Sequence, residues 1–327
     1  MKILVIFTGG TIGCTLKNNV LKTDKSNSYL LLDMYNSFCQ ANNLEKVDFQ
    51  IAQPYTILSE NLSFDKLSKL KECINNHNLD CFDGIIVTHG TDTLQYTASY
   101  LSYVLGSDTK PVMLVSANYP LSHKLSNGLD NFVNAVNFIK SKNNKGVFVS
   151  YKNKGENGKI HRGTRLLPHL PYSDDIYSVL NSFYGEVVDN KFIKNNNYTE
   201  QNDEFNFDDK SSLTQDILKL NSYVGMNYPT SLENIKAVLL EGYHSGTLNT
   251  SAIAMQKFCQ NAQLNNIPVF LTGACKGFYY ESKTLFDSLN IKVLPCASPI
   301  AMYIKLSLLK ENELEKVYLP CCGDFVE

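Results

Sequence analysis

Residues 1–16 read MKILVIFTGGTIGCTL, an apolar run that breaks into Thr8-Gly9-Gly10-Thr11-Ile12-Gly13. Ile3 to Phe7 fits a short β-strand bounded by turn residues. Glycines directly after a strand let the backbone turn sharply and come close to a bound group. Phosphate is the first candidate, because glycine-rich turns that enter helices often cradle it. The stretch has neither the G-x-G-x-x-G spacing nor the Lys-Ser/Thr ending of a P-loop. What the glycines present is the hydroxyl of Thr11. A plain tight turn after the first strand explains the same letters.

Working outward, strand-like runs at Val47–Ile51, Ile85–Thr88, Pro111–Ser116 and Gly146–Tyr151 alternate with amphipathic stretches. Ser63 is placed to N-cap a helix with Phe64, Leu67, Leu70 and Ile74 on one face and Asp65 near its positive end. Leu94, Ala98, Leu101 and Leu105 mark a second helix, and Phe132, Ala135, Val136 and Ile139 a third. Such alternation predicts an α/β fold with a mainly parallel sheet covered on both faces. Residues 195–212, NNNYTEQNDEFNFDDKSS, are polar and nearly free of aliphatics, so they read as a linker or long exposed loop. Beyond it, Asp216–Leu220, Ala237–Leu240, Ile267–Thr272 and Ile291–Leu294 are strand candidates, with a helix near Ser251–Gln260. Ser298 followed by Pro299 is a helix start leading into Ile300, Tyr303, Ile304 and Leu308. The expected organisation is a larger N-terminal domain over 1–194 and a smaller C-terminal α/β domain over 213–327.

Composition agrees with a globular chain: 327 residues, 43% hydrophobic, 19% charged. A net charge of −2 provides no general pull toward nucleic acid or membrane, and neither is expected as a partner. The nine cysteines are scattered, with no C-x-x-C and one adjacent pair, Cys321-Cys322, as for reduced thiols. The apolar run after Lys2 is too short for a signal peptide, and no run approaches the roughly 20 residues that span a bilayer. The cytoplasm is the expected compartment.

Ligands in a parallel sheet bind beyond the carboxyl ends of the strands. Three strand candidates end in reactive-looking turns: Thr8-Gly9-Gly10-Thr11, Thr88-His89-Gly90-Thr91-Asp92-Thr93, and Ser116-Ala117-Asn118-Tyr119-Pro120. Hydroxyls of Thr11 and Thr91 could thus meet beside the Asp92 carboxylate. A threonine hydroxyl needs a base to take its proton and donors for the charge that develops. Ordinary N-capping of the Leu94 helix would also account for Thr91-Asp92-Thr93. His89 reads as structural, as a single histidine at a strand end usually is.

TGGTI after an N-terminal strand, followed by THGTDTL, resembles the paired signatures of the L-asparaginase/glutaminase family, and especially its cytoplasmic bacterial members. Ala117 to Gly128, LEGYHSGTLN and the final helix near Ile300–Leu309 are also similar. The resemblance implies that Thr11 is the nucleophile that forms an acyl-enzyme with a side-chain amide. It implies that Thr91 and Asp92, with Gly90 in the same turn, are the second threonine and its acidic neighbour. Ser59 and Glu60 would grip the substrate's α-carboxylate and amine, and the Ala117 carbonyl would face the leaving amide. Asn249 would reach an adjacent subunit's site. It further implies a small amino-acid substrate, a homodimer or homotetramer, and no metal or organic cofactor.

The chain also departs from the family pattern. A lysine belongs five residues after the glycine of Arg162-Gly163-Thr164-Arg165-Leu166-Leu167, where this chain has Pro168. A loop tyrosine falls near Leu21, with Tyr29 following, and a Ser-x-Asp-Gly-like segment reads Ser126-Asn127-Gly128. Among nearby basic residues Lys159, Arg162 and Arg165, only the lysine could become a base through burial. The expected function is therefore slow hydrolysis of L-asparagine to L-aspartate and ammonia. A pseudoenzyme that binds an amino acid, and an amidase subunit of a tRNA amidotransferase, are the alternatives.

Overall fold

The opening run forms strand β1 (Lys2–Phe7), whose residues Ile3 to Ile6 are wholly buried. Burial of both faces explains why the run is continuously apolar rather than alternating. The computed structural model describes residues 1–10, 12, 14–17, 20–23, 27–274 and 280–327. They divide into two units, Met1–Tyr198 and Thr199–Glu327.

The first unit continues with an antiparallel hairpin, β2 (Cys14–Lys17) and β3 (Val20–Thr23). Helix α1 (Asn27–Ala41), β4 (Asp48–Ala52), α2 (Phe64–Asn75), β5 (Gly84–Thr88), α3 (Leu94–Leu105), β6 (Val112–Val115), α4 (Gly128–Lys140) and β7 (Val147–Lys152) follow. Three further strands close it: β8 (Gly158–Arg162), β9 (Gly185–Val188) and β10 (Lys191–Lys194). Among the described residues the main sheet runs β10-β9-β8-β7-β6-β5-β1-β4. From β4 to β7 it is parallel, and from β7 to β10 antiparallel. The apolar runs of the sequence anticipate the parallel part; the antiparallel extension and α1 are additions.

One face of the sheet packs Ile3, Val5, Phe7, Ile86, Met113 and Val115 against α1 and α4. Tyr35 of α1 meets Phe132 of α4 edge-on at 5.4 Å. The alternate residues Leu4, Ile6, Val87 and Leu114 are buried as fully, and α3, packed beside α2, lies against β7. Ser63 caps α2 as expected, its hydroxyl accepting from the Lys66 N–H. β9 and β10 are joined through Asp189 and Asn190, whose φ values of 47° and 61° suit a tight hairpin of strand-matching twist.

The second unit holds a four-stranded parallel sheet among its described residues, in the order β11 (Ile217–Asn221), β12 (Ala237–Glu241), β13 (Val269–Thr272) and β14 (Ile291–Val293). Helix α5 (Ile253–Leu264) buries Met255, Phe258 and Cys259 against Val238, Leu240 and Leu271. Helix α6 (Pro299–Leu308) starts at Ser298, with proline in its first turn, but the serine hydroxyl makes no capping bond. Lys305 of α6 is wholly buried with Asp324, Nζ to Oδ2 at 2.7 Å, and also donates to the Leu319 carbonyl. The segment after Tyr198 is tied into this unit: Glu204 N–H donates to the Pro320 carbonyl, and Cys322 N–H to the Asp203 carboxylate. The cysteines described are free thiols. No described helix is long and apolar enough to cross a membrane.

Candidate active site

Parallel register sets the site. Phe7 pairs with Thr88 and Thr88 with Val115, so the turns after β1, β5 and β6 leave the same edge of the sheet together. Gly10 N–H donates to the Ile57 carbonyl and Ile57 N–H to the Thr8 carbonyl, which brings the chain after β4 alongside. The close approach expected of the glycines is real, but what approaches is backbone. A Cβ on Gly9 (φ 108°) would lie 2.2 Å from the Ile57 oxygen, and one on Gly10 (φ 76°) 2.2 Å from the Gly90 nitrogen. A Cβ on Gly90 would fall 2.5 Å from both Cβ and Oγ of Ser59. The turns after β1 and β5 and the single 3₁₀ turn at Ser59–Asn61 therefore touch with no side chain between the first two.

Side chains then tie the turns together. Ser59 Oγ donates to Asp92 Oδ2 at 3.0 Å, and Thr93 Oγ1 donates to the Ser59 carbonyl at 2.9 Å. Thr93 occupies the N-cap of α3 yet makes no capping bond there. The hydroxyl and carboxylate around residue 92 are thus spent across the turns, not on the helix end. Ser59 and Ala117 are buried, Thr91 is half-buried, and Asp92 and Glu60 are exposed, so the group opens to solvent on its carboxylate side. Behind Ala117, Asn118 and Asn127 exchange backbone-to-side-chain bonds at 3.0 Å each, and Asn127 Nδ2 reaches the Lys152 carbonyl. Asn127, a departure from the family pattern, holds the loop after β6.

Ser59, Gly90 and Asp92 are brought together; Glu60, Thr91 and Ala117 stand on the same turns. Thr11 and Gly13 lie outside the described residues, as does the side chain at Leu21. Tyr29 is exposed on α1, and Asn249 is exposed ahead of α5 in the second unit.

His89 is fully engaged: Nδ1 bonds the Gly90 carbonyl and Nε2 meets Thr97 Oγ1, each at 2.8 Å. Burial pushes its pKa down to about 4, so it stays neutral as a strut for the turn. Lys159 is held by Glu156 at 2.7 Å and lies over the Phe183 ring. Arg162 donates to the Lys145 carbonyl, and Arg165 stacks on Tyr198.

His169 carries no motif that singles it out in the sequence. Its Nε2 is buried with no partner among the described residues, and its ring meets Tyr151 edge-on at 5.9 Å. Burial lowers its pKa, opposed by a bond to the Ser173 backbone and by the charges of Asp92, Asp174 and Asp175. The one available signal is its place immediately after Pro168. No described group of three or more His, Cys, Asp or Glu residues could hold a metal ion.

A family model, "Asparaginase, N-terminal", matches residues 2–168, just over half of the chain. The chain belongs to the asparaginase family. It is 24% identical over 351 residues to a glutamyl-tRNA(Gln) amidotransferase subunit of Sulfurisphaera tokodaii, covering 99% of this chain and 74% of that protein. It is 34% identical over 136 residues to L-asparaginase 1 of Escherichia coli K12, covering 41% of this chain and 39% of that one. The thermostable L-asparaginase of Thermococcus kodakarensis superposes over 100% of both chains with a TM-score of 0.79 at 21% identity, a likeness of fold.

Proposed function

We propose that this protein is an amidohydrolase that releases ammonia from the side-chain amide of L-asparagine through a threonine acyl-enzyme. The observation that carries the reading is the Ser59–Asp92–Thr93 linkage, which fixes hydroxyls and a carboxylate of separate turns at one sheet edge. In this reading the exposed carboxylates of Asp92 and Glu60 hold the substrate's α-amino group, and Ser59 aligns its carboxylate. Thr11 attacks the amide carbon, Thr91 passes on the proton, and the Ala117 carbonyl orients the departing amide. Preorganised contact between the turns keeps Ser59 and Asp92 aimed without rearrangement.

The experiment is ammonia release by the purified protein with asparagine, glutamine and their D-isomers, beside Thr11→Ala. That variant should keep its fold and lose several orders of magnitude in turnover, as removal of a covalent nucleophile does. Near-normal activity in Thr11→Ala refutes the assignment. A second reading, an amidase subunit that passes ammonia to an RNA-linked substrate, is favoured by the nearly full-length alignment with the Sulfurisphaera protein. Ammonia release by this chain alone at the rate of a complete enzyme speaks against it.

A further inference from the structure

We infer that His169 is the proton relay of this site, serving the Thr91–Asp92 turn where the family resemblance expects a lysine one residue earlier. The inference rests on the amidohydrolase reading and adds to it the group that moves the proton.

The path of the chain brings His169 to the right edge. β8 runs antiparallel to β7, so the chain leaves it at the edge opposite the candidate site. It then turns back along α3: a Cβ on Gly163 would lie 2.6 Å from Ser102 Oγ and 2.9 Å from the Ala98 carbonyl. From Ala98 to the start of α3 at Leu94 is a rise of about 6 Å, and Asp92 directly precedes that start. The residues from Gly163 to His169 can span up to ~20 Å, ample for the return. Leu167 N–H donates to the Tyr177 carbonyl, which ties the chain just before His169 to the segment that follows it. Tyr151, against which the imidazole packs, follows Ser150, the partner of Val115 in the last rung before the Ala117 turn.

The ring's hydrogen bonding suits a base. The Ser173 backbone takes the N–H of one nitrogen, and since Nε2 has no partner among the described residues, that nitrogen is Nδ1. Nε2 is left with a buried, unshared lone pair, a state that costs stability in a folded protein unless a further group completes it. The Tyr151 hydroxyl does not complete it, because it donates to the Asp174 carbonyl. The charged groups acting on the ring are Asp92, Asp174 and Asp175, all of which favour an imidazolium once a proton arrives. Lys159 and Arg162 are engaged elsewhere, Lys159 with Glu156 and Arg162 with the Lys145 carbonyl.

In acylation the attacking threonine loses its proton through Thr91 to Nε2 as its oxygen bonds to the amide carbon. The imidazolium returns that proton to the amide nitrogen, the C–N bond breaks, and ammonia leaves. Water then gives a proton to Nε2 and its oxygen to the ester carbon, and the threonine oxygen recovers the proton.

The test is ammonia release from asparagine between pH 5 and pH 9 by the parent, His169→Gln and His169→Ala with and without added imidazole. Calorimetric binding of aspartate and circular dichroism run alongside. Loss of general acid–base assistance should lower kcat of His169→Gln by about 10²–10⁴-fold, remove the acid limb of the profile and leave aspartate binding unchanged. Imidazole should restore part of the His169→Ala loss. An active parent with His169→Gln equally active overturns the inference and leaves the amidohydrolase reading standing. Loss of aspartate binding or of fold, without imidazole rescue, assigns His169 a structural role and also overturns it. A parent that releases no ammonia from any amide refutes the amidohydrolase reading, and the relay with it.

Discussion

Gly90→Ala tests whether the turns are held by contact. Gly90 has no left-handed φ, so alanine is permitted by the backbone, and the cost is steric. Its Cβ would meet Cβ and Oγ of Ser59 at 2.5 Å, with Gly10 Cα next at 3.2 Å. Displacing Ser59 costs about 1–3 kcal/mol as overpacking. It also breaks the Ser59–Asp92 bond, worth about 1 kcal/mol here because Asp92 is exposed. The single variant should thus lose about 2–4 kcal/mol. Ser59→Gly should lose about 2 kcal/mol, from the same bond and from glycine's backbone entropy. The double variant removes both clashing atoms and loses the bond only once, so it should be about 2–4 kcal/mol more stable than the sum of the singles. Urea unfolding followed by far-UV circular dichroism measures all four corners of the cycle. Additivity within about 0.5 kcal/mol would show that Gly90 and Ser59 do not touch as described.

Acid should weaken the fold through two buried imidazoles. Burial lowers the pKa of His89 to about 4, and burial with the Lys159 charge lowers that of His161 to about 3. Below the unfolded value near 6.5 the unfolded chain binds protons that the folded chain refuses. Each histidine should therefore remove up to ~1.4 kcal/mol per pH unit from about pH 6.5 down to its folded pKa. Urea unfolding at pH 7, 5.5 and 4.5 reads this, and His89→Gln should flatten one share of the slope; equal stability at all three values contradicts it. Lys159→Met should leave ammonia release unchanged, since Nζ is engaged with Glu156. A tenfold or greater loss would mean that Lys159 reaches the site.

Strands β1, β5, β6 and β7 are legible because both of their faces are buried, so their sequences are continuous apolar runs. β8 and β9 are harder to see, since Ile160 and Val187 enter the core while Lys159 and Glu186 do not. The Asp189-Asn190 pair is the readable sign of the hairpin that follows. Helix α1 also leaves a trace in Leu31, Tyr35, Phe38 and Cys39, a helical spacing inside a stretch easily taken for loop. The residue types of the candidate site are legible at Ser59, Thr91 and Asp92. The ends of the parallel strands point to a site at Thr91 and Asp92, but the Ser59–Asp92 bond is not legible, because it depends on how the chain after β4 returns to the turn after β5. His169 escapes for a related reason: its place depends on the chain doubling back along α3, which no local spacing encodes.

The buried Lys305–Asp324 pair bears on the order in which the molecule is made. Synthesis proceeds from the N-terminus at ~5–20 residues per second, so the first unit emerges well before Asp324 is added. Until residues 319–324 arrive, the α6 lysine lacks both the carboxylate and the Leu319 carbonyl that neutralise it inside the second unit. A cation sealed into an apolar core without those partners is strongly disfavoured. Residues 319–324 are accordingly the latch of the second unit, which closes around the lysine only once they have been made.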